Sequence, residues 1–503
     1  MSRLIPALLL GLAMPALAAP LDRIEHIVVI YGENRGFDHL YGLFPGADGV
    51  RGLKPRQYRQ TDHDGSVFKL LPAIWQEDSK QPGQIDPAFA ELPRPANRPF
   101  RLDAPPYRLG LDQVTRDLVH RFYQNQEQIN GGRMDRFAAV SNAGAFAMGH
   151  YNGRSMALWK LARQYTLADR FFMAAFGGSF LNHMWLACAC TPSFPEAPER
   201  MRAVLDEDGV RLKRHPDSPA SAVDGPPRYV RDGSITPDGY AVNTIQPPYQ
   251  PSNVPPAKEG DARLTDPARP TLPPQTQRTI GDALSEKGVS WAWYGAAWNA
   301  AVAEGMQPAE VPRKVIYGDG PDSPGFQAHH QPYNYFANYA PGTAARAAHL
   351  KDGEDFVQAI DSGTLPQVAF YKPHGMLNQH PGGDLAAGDR HIAELVEKIR
   401  RGPQWRKTLV IVTYDENGGF WDHVAPPKGD RWGPGPRVPT LLISPWVRRA
   451  YADHTPYDTT SILKLLTRKF GLTPLDGVRP GAGDLTAALT EHGRRRHVHQ
   501  PRR

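Results

Sequence analysis

Two short acidic pairs stand far apart in this chain of 503 residues, Glu33-Asn34 and Asp415-Glu416, each directly after a β-branched run. Carboxylate and amide oxygens gathered in this way suit hard or borderline divalent cations such as Mg²⁺, Ca²⁺, Mn²⁺ or Fe²⁺. An acidic residue after a strand is also a common helix cap, so either pair alone leaves both roles open, while the two together favour a metal. Between them in sequence lies Ala175-Phe-Gly-Gly-Ser-Phe-Leu-Asn-His-Met184. Its glycines permit a sharp turn, and the apolar run 180–189 predicts a buried helix with Ser179 at its N-terminus. Unpaired N–H groups and the helix dipole stabilise an anion there. Serine is equally a favoured N-cap, and local sequence alone favours that role over a nucleophile. Histidines at 120, 183, 329, 330, 374, 380, 391, 423 and 454, with Lys372, offer the proton donors and cationic groups that phosphoryl transfer needs.

The elements that must hold these groups follow an α/β rhythm. Residues 24–31 predict a central strand of a parallel sheet and 408–414 a second, so both acidic pairs leave carboxyl ends of strands, where ligand crevices of open α/β sheets lie. Further strands are predicted at 165–172, 289–294, 368–371 and 438–443. Helices are predicted at 111–129, which carries His120, and at 154–164, 279–287, 389–401 and 457–470. A hairpin is expected at His63-Asp64-Gly65. Between Pro192 and Pro274 lie 17 of the 50 prolines. With the turn signals Asp208-Gly209, Asp232-Gly233 and Asp238-Gly239, they predict an insertion of hairpins and extended loops at about 192–275, not a second hydrophobic domain. The chain reads as one α/β catalytic domain, 19–492, without internal repeats.

Both ends read differently. Arg3, the apolar run 4–17 and Ala16-Leu17-Ala18 predict a secretory signal over 1–18 and hence a periplasmic or secreted protein. No later stretch approaches the roughly 20 apolar residues of a membrane span. Arg3 and the five arginines of the tail 493–503 account for the whole formal charge of +6, leaving a neutral body with no nucleic-acid footprint. The tail reads as disordered and basic. Cys188 and Cys190 are the only cysteines. If the helix continued through them, a bridge between residues two apart would be badly strained, so both are expected to be buried thiols.

Ile24-Glu-His-Ile-Val-Val-Ile-Tyr-Gly-Glu-Asn-Arg-Gly-Phe-Asp-His39 resembles the opening motif of the bacterial phosphoesterase family of secreted acid phosphatases and phospholipases C, within the alkaline-phosphatase-like superfamily. Tyr414-Asp-Glu-Asn-Gly-Gly-Phe-Trp-Asp-His-Val-Ala-Pro-Pro427 is similar to its second motif. Gly178-Ser-Phe-Leu-Asn-His183, His329-His-Gln-Pro-Tyr-Asn-Tyr335 and Lys372-Pro-His-Gly-Met-Leu-Asn-Gln-His-Pro381 resemble the acid phosphatase A branch. The likeness runs from about residue 24 to about residue 470. It implies a three-layer sandwich, with a mostly parallel sheet flanked by helices, plus inserted loops and hairpins.

The resemblance implies one divalent metal ion (Mg, Ca, Mn, Fe or Zn) held by Glu33, Asn34, Ser179, Asp415 and Glu416. Ser179 would be the nucleophile, and Asn182, His120, His329, His330 and His380 would surround the phosphate. His330 or His380 would protonate the leaving group. Phospholipase members look as if they carry threonine at the nucleophile, so Ser179 points to an acid phosphatase acting on small phosphomonoesters through a phosphoserine. Two alternatives stand beside it. A phospholipase C would need an apolar or choline-binding wall, which Trp291, Trp293, Tyr294 and Trp298 could form if they are not core. A non-enzymatic exported protein binding a partner through its proline-rich loops would leave the acidic pairs unexplained.

Overall fold

The computed structural model describes residues 19–76, 83–318, 320 and 322–491. The expected signal at 1–18 and the basic tail at 493–503 lie outside the described residues. Eight strands form the main sheet: β1 (His26–Gly32), β2 (Thr166–Ala168), β3 (Trp291–Gly295), β4 (Leu350–Asp352), β5 (Val368–Lys372), β6 (Thr408–Tyr414), β7 (Thr440–Ile443) and β8 (Tyr451–Asp453). Their order is β8-β2-β7-β6-β1-β5-β3-β4. All pairings are parallel except those of β7, which runs against both β2 and β6. Every residue of β6, and of β1 from Ile27 onward, is buried. Burial at successive positions covers both faces of the sheet, which is why these strands read as continuous apolar runs.

The helices that matter for the site are α1 (Phe37–Tyr41), α2 (Phe122–Ile129), α3 (Ala157–Ala162), α4 (Ser179–Cys188), α5 (Ile280–Glu286), α6 (Gly353–Ser362), α7 (Leu385–Arg401) and α8 (Thr460–Phe470). Helices α3, α6 and α7 pack in one group, and α4, α5 and α8 in another. Asp389 of α7 joins the first group, accepting hydrogen bonds from the N–H groups of Ala157 (2.5 Å) and Leu158 (3.1 Å) at the start of α3. The proline-rich stretch carries isolated bridges, such as Leu205 with Leu212 and Arg214 with Tyr229, in place of a sheet of its own.

Four expectations are corrected by the structure. The helix predicted over 111–129 exists only from Phe122. Before it, distant partners take the backbone groups a helix would use: Thr115 N–H donates to Pro381 O (3.1 Å) and Val119 N–H to Asn142 Oδ1 (2.7 Å). His120 therefore sits on a loop. The strand predicted over 165–172 is split, because Phe171–Phe172 leaves the main sheet to pair with Tyr457–Asp458. That pairing also delays the last helix to Thr460, whose N–H is capped by Asp458 Oδ1 at 2.7 Å. Finally, Cys188 and Cys190 are joined in a disulfide with Cα atoms 5.1 Å apart. Helix α4 ends at Cys188, and Ala189 adopts the left-handed conformation (φ 48°), which turns Cys190 back toward its neighbour.

A buried ionic cluster ties α1 to the segment after β6. Arg437, fully buried, donates to Asp422 Oδ1 (2.9 Å) and Asp38 Oδ1 (3.1 Å), while His423 lies between Asp38 Oδ2 (2.6 Å) and Asp48 Oδ1 (3.1 Å). Burial works against the charge on His423, but Asp38 and Asp48 outweigh it and push its pKa up to about 10. Removing one partner of such a cluster strands the others without water. Arg437→Met is expected to lower the unfolding free energy by about 3 to 5 kcal/mol. A urea titration at neutral pH checks this, and a change below about 1 kcal/mol would mean that the cluster contributes little.

Candidate active site

The register of β1 against β6 aligns Gly32 with Tyr414, so Glu33-Asn34 and Asp415-Glu416 emerge side by side. All four are fully buried. Asn34 takes the left-handed conformation (φ 51°), which asparagine tolerates better than most residues. Its N–H donates to Asp415 Oδ1 at 3.0 Å. Ser179 Oγ lies 3.1 Å from both Glu33 Oε2 and Asn34 Oδ1, so its one proton can go to either.

Ser179 is the first residue of α4, as its sequence context predicts. The turn leading to it passes through Gly177 at φ 92°, where a Cβ would meet the Phe122 nitrogen at 2.7 Å. Asn182, one turn along, is fully buried behind this turn. Its amide oxygen accepts from Ala175 N–H (2.9 Å) and its NH₂ donates to the Ala175 carbonyl (3.1 Å) and the Gly178 carbonyl (3.2 Å). A phosphate contact does not fit this placement; Asn182 braces the turn that presents Ser179.

The histidines divide into two groups. His120, His329 and His380 line, with Ser179, a cavity of about 720 Å³. His120 Nε2 is 3.4 Å from Asn34 Nδ2 and 3.6 Å from Glu416 Oε1. His329 Nδ1 is 2.8 Å from the Tyr317 hydroxyl. His380 Nδ1 accepts the Gly382 N–H (3.1 Å), so the neutral ring carries its proton on Nε2, which is 3.7 Å from Asp117 Oδ1. His330 sits deeper, with Nε2 3.2 Å from Glu33 Oε1 and its ring stacked on that of His183. The cavity wall also includes Pro226, Pro227, Arg228, Asn243 and Thr244 of the proline-rich stretch. Trp291, Trp293, Tyr294 and Trp298 are buried core residues outside this wall.

One participant escapes motif reading, and two residues of the Lys372–Pro381 motif take partners that the motif does not specify. Asp117 carries no local signal, because only the loop that replaces the expected helix brings it to His120 and His380. Lys372, at the end of β5, forms a buried ion pair with Glu33 Oε1. Gln379, at φ 75°, ties the His380 loop to both acidic motifs: its carbonyl accepts from Arg35 Nε (2.8 Å) and its side-chain oxygen from the Tyr414 hydroxyl.

Electrostatics set the chemistry. Burial raises Asp415, and the neighbouring Glu33 charge adds to this, bringing it to about 8. Burial and Asp415 drive Glu416 well above the carboxylate range. Burial would raise Glu33 too, but His330 and Lys372 hold it well below its usual value. Asp415 Oδ2 and Glu416 Oε1 are buried without any hydrogen-bond donor. Orphaned carboxylate oxygens beside Asn34 Oδ1 and Ser179 Oγ make an oxygen-rich set that fits a divalent cation. A second grouping of ligand types, Asp38, Asp422 and His423, belongs to the Arg437 cluster and has its oxygens already hydrogen-bonded.

A helix end suited to anions facing oxygens suited to a cation points to phosphoric ester chemistry as a class. A model of the Phosphoesterase family matches residues 24–473, and the chain belongs to that family of phosphoric ester hydrolases. Phospholipase C B of Mycobacterium tuberculosis (strain CDC 1551 / Oshkosh) is 25% identical over 499 residues, covering 90% of this chain and 74% of that protein. Non-hemolytic phospholipase C of Burkholderia pseudomallei (strain K96243) is 25% identical over 532 residues, 94% of this chain but 61% of that longer protein. Among solved structures, a protein in the alkaline phosphatase superfamily from Vibrio parahaemolyticus aligns with a TM-score of 0.33 and 10% identity, covering 74% of this chain and 68% of that one. Among the described residues, no helix is long and apolar enough to cross a membrane.

The raised Asp415 pKa has a measurable sign. Between about pH 4 and pH 8 this carboxyl is protonated in the fold and ionised in the unfolded chain, so its contribution to stability is lost as pH rises through that window. A divalent ion must displace that proton. With Glu416 protonated as well, its apparent affinity is expected to weaken by tenfold or more per pH unit below about pH 8, with proton release on binding. Calorimetric titration with Mn²⁺ in two buffers of different ionisation enthalpy checks this; binding without proton release would contradict it.

Proposed function

We propose that this protein is an exported, metal-dependent acid phosphatase that hydrolyses phosphate monoesters through a phosphoserine on Ser179. The observation that carries this reading is Ser179 Oγ, at a helix N-terminus, 3.1 Å from Glu33 Oε2 and Asn34 Oδ1 and facing a cavity lined by three histidines. Glu33, Asn34, Ser179, Asp415 and Glu416 would hold a divalent ion, which would supply the Lewis acidity that makes the hydroxyl a better nucleophile. The N–H groups at the start of α4, with His120 and His329, receive the phosphate oxygens. Ser179 Oγ passes its proton to Glu33 Oε2, 3.1 Å away, and bonds to phosphorus as the ester oxygen leaves. His380, once protonated at Nδ1 with release of the Gly382 N–H, gives its Nε2 proton to that oxygen and returns to the neutral ring, in preference to His330, which is turned toward Glu33. Water then cleaves the phosphoserine to free phosphate and restore the hydroxyl.

Export is supported by the signal-like sequence expected over 1–18 and by the Cys188–Cys190 disulfide, since such bridges persist in oxidising compartments. A second reading, a phospholipase C acting on diesters, is favoured by the similarity to bacterial phospholipases C. Against it, the aromatic residues that could have formed a choline-binding wall lie in the core.

Ser179→Ala is expected to lower kcat on p-nitrophenyl phosphate by about a thousandfold or more, and residual turnover near the native rate would exclude the nucleophile assignment. His380→Ala is expected to slow alkyl phosphates far more than p-nitrophenyl phosphate, because only a poor leaving group needs the proton. The native enzyme should prefer p-nitrophenyl phosphate to phosphatidylcholine, and a large preference for the lipid would select the second reading.

A further inference from the structure

Beside the oxygen donors lies a second set of ligand atoms, which shares only Glu33 with the reaction above. Glu33, His183 and His330 are all buried and present atoms within 4.8 Å of one another. The two imidazole rings stack 4.9 Å apart at an interplanar angle of 8°. His183 Nδ1 is committed to the Ser179 carbonyl at 2.7 Å, so it carries the proton and Nε2 holds a free lone pair. That Nε2 is buried without a hydrogen-bond partner. Two neutral imidazoles and one carboxylate are a donor set suited to zinc and similar ions.

Lys372 is paired with the carboxylate of this set. The side chain is 2% exposed, pairs with Glu33 Oε1, and places Nζ 5.5 Å from the centre of the Tyr31 ring. Glu33 is thereby divided: Oε2 faces Ser179 at 3.1 Å, while Oε1 faces Lys372 and His330. An ammonium in contact with Oε1 repels any divalent ion seeking the same oxygen, and water is too scarce there to screen the two.

We propose that the Lys372 ammonium occupies a second cation site formed by Glu33, His183 and His330, as a built-in cation that restricts the chain to one exchangeable divalent ion. The inference rests on the metal-dependent reading above, since it requires the first site to be filled by the oxygen donors. It separates His183 from the first site and gives Lys372 a role beyond orienting Glu33.

The test is metal stoichiometry of the full chain, measured by elemental analysis after equilibration with Zn²⁺ and removal of free ion, and by calorimetric titration with Zn²⁺. Wild type is expected to hold one ion, Lys372→Ala two, and the double variant Lys372→Ala/His183→Ala one again. His183→Ala alone is expected to keep its single ion. Two ions in wild type, one in Lys372→Ala, or loss of the ion in His183→Ala would each overturn the proposal. Wild type without any ion would instead defeat the metal-dependent reading itself. Should Lys372→Ala fail to fold by circular dichroism, Lys372→Met keeps the apolar stem, and the wild-type and His183→Ala measurements still decide.

Discussion

Glu33, Asp415 and Glu416 bring three carboxyl groups to the ends of two adjacent strands, none of them in contact with water. Like charges at that spacing cannot all persist in a dry interior without compensation. Lys372 and His330 answer for Glu33 alone, so the other two carboxyls are left protonated or in want of a cation. Such an arrangement is costly to hold, and it persists only because the sheet leaves the groups no alternative. β1 and β6 are hydrogen-bonded along their whole length and buried on both faces. Neither acidic pair can swing outward to water.

The surrounding structure carries that constraint outward. Asn34 turns left-handed to reach Asp415, and the same turn puts its side-chain oxygen on Ser179. Asn182 fixes the turn from behind. Gln379, held by Arg35 from one acidic motif and Tyr414 from the other, makes the His380 loop move with the strands it faces. Ser179, the two acidic motifs and the His380 loop are therefore positioned by one connected framework, not by independent loops.

How much of this could be read in the sequence depended on the range of the forces involved. β-branched runs marked β1 and β6 because strand burial is written into consecutive residues, and the acidic pairs followed at once. The Gly-Gly-Ser turn was equally local. His120 was placed on a helix because Leu118 and Phe122 keep a helical apolar spacing; Asn142 and Pro381, distant in sequence, capture the backbone instead. The disulfide is not legible in the sequence, because an alanine at 189 gives no sign of ending a helix. Asn182 has the composition of a ligand-binding residue, but its amide is spent on the backbone around Ala175. Lys372 carries its meaning only through Glu33, more than three hundred positions away.

The two sides of the cavity have different origins. One side is made by the start of α4 and the loops that carry Asp117, His120 and His380, whereas Pro226, Pro227, Arg228, Asn243 and Thr244 come from a stretch that contributes no strand to the main sheet. Changes in those loops alter the shape offered to a substrate without disturbing the register that assembles the carboxylates. Drift in one part of the gene can thus explore new substrates while the reactive centre stays under separate selection, and an engineer could exchange the wall as a cassette.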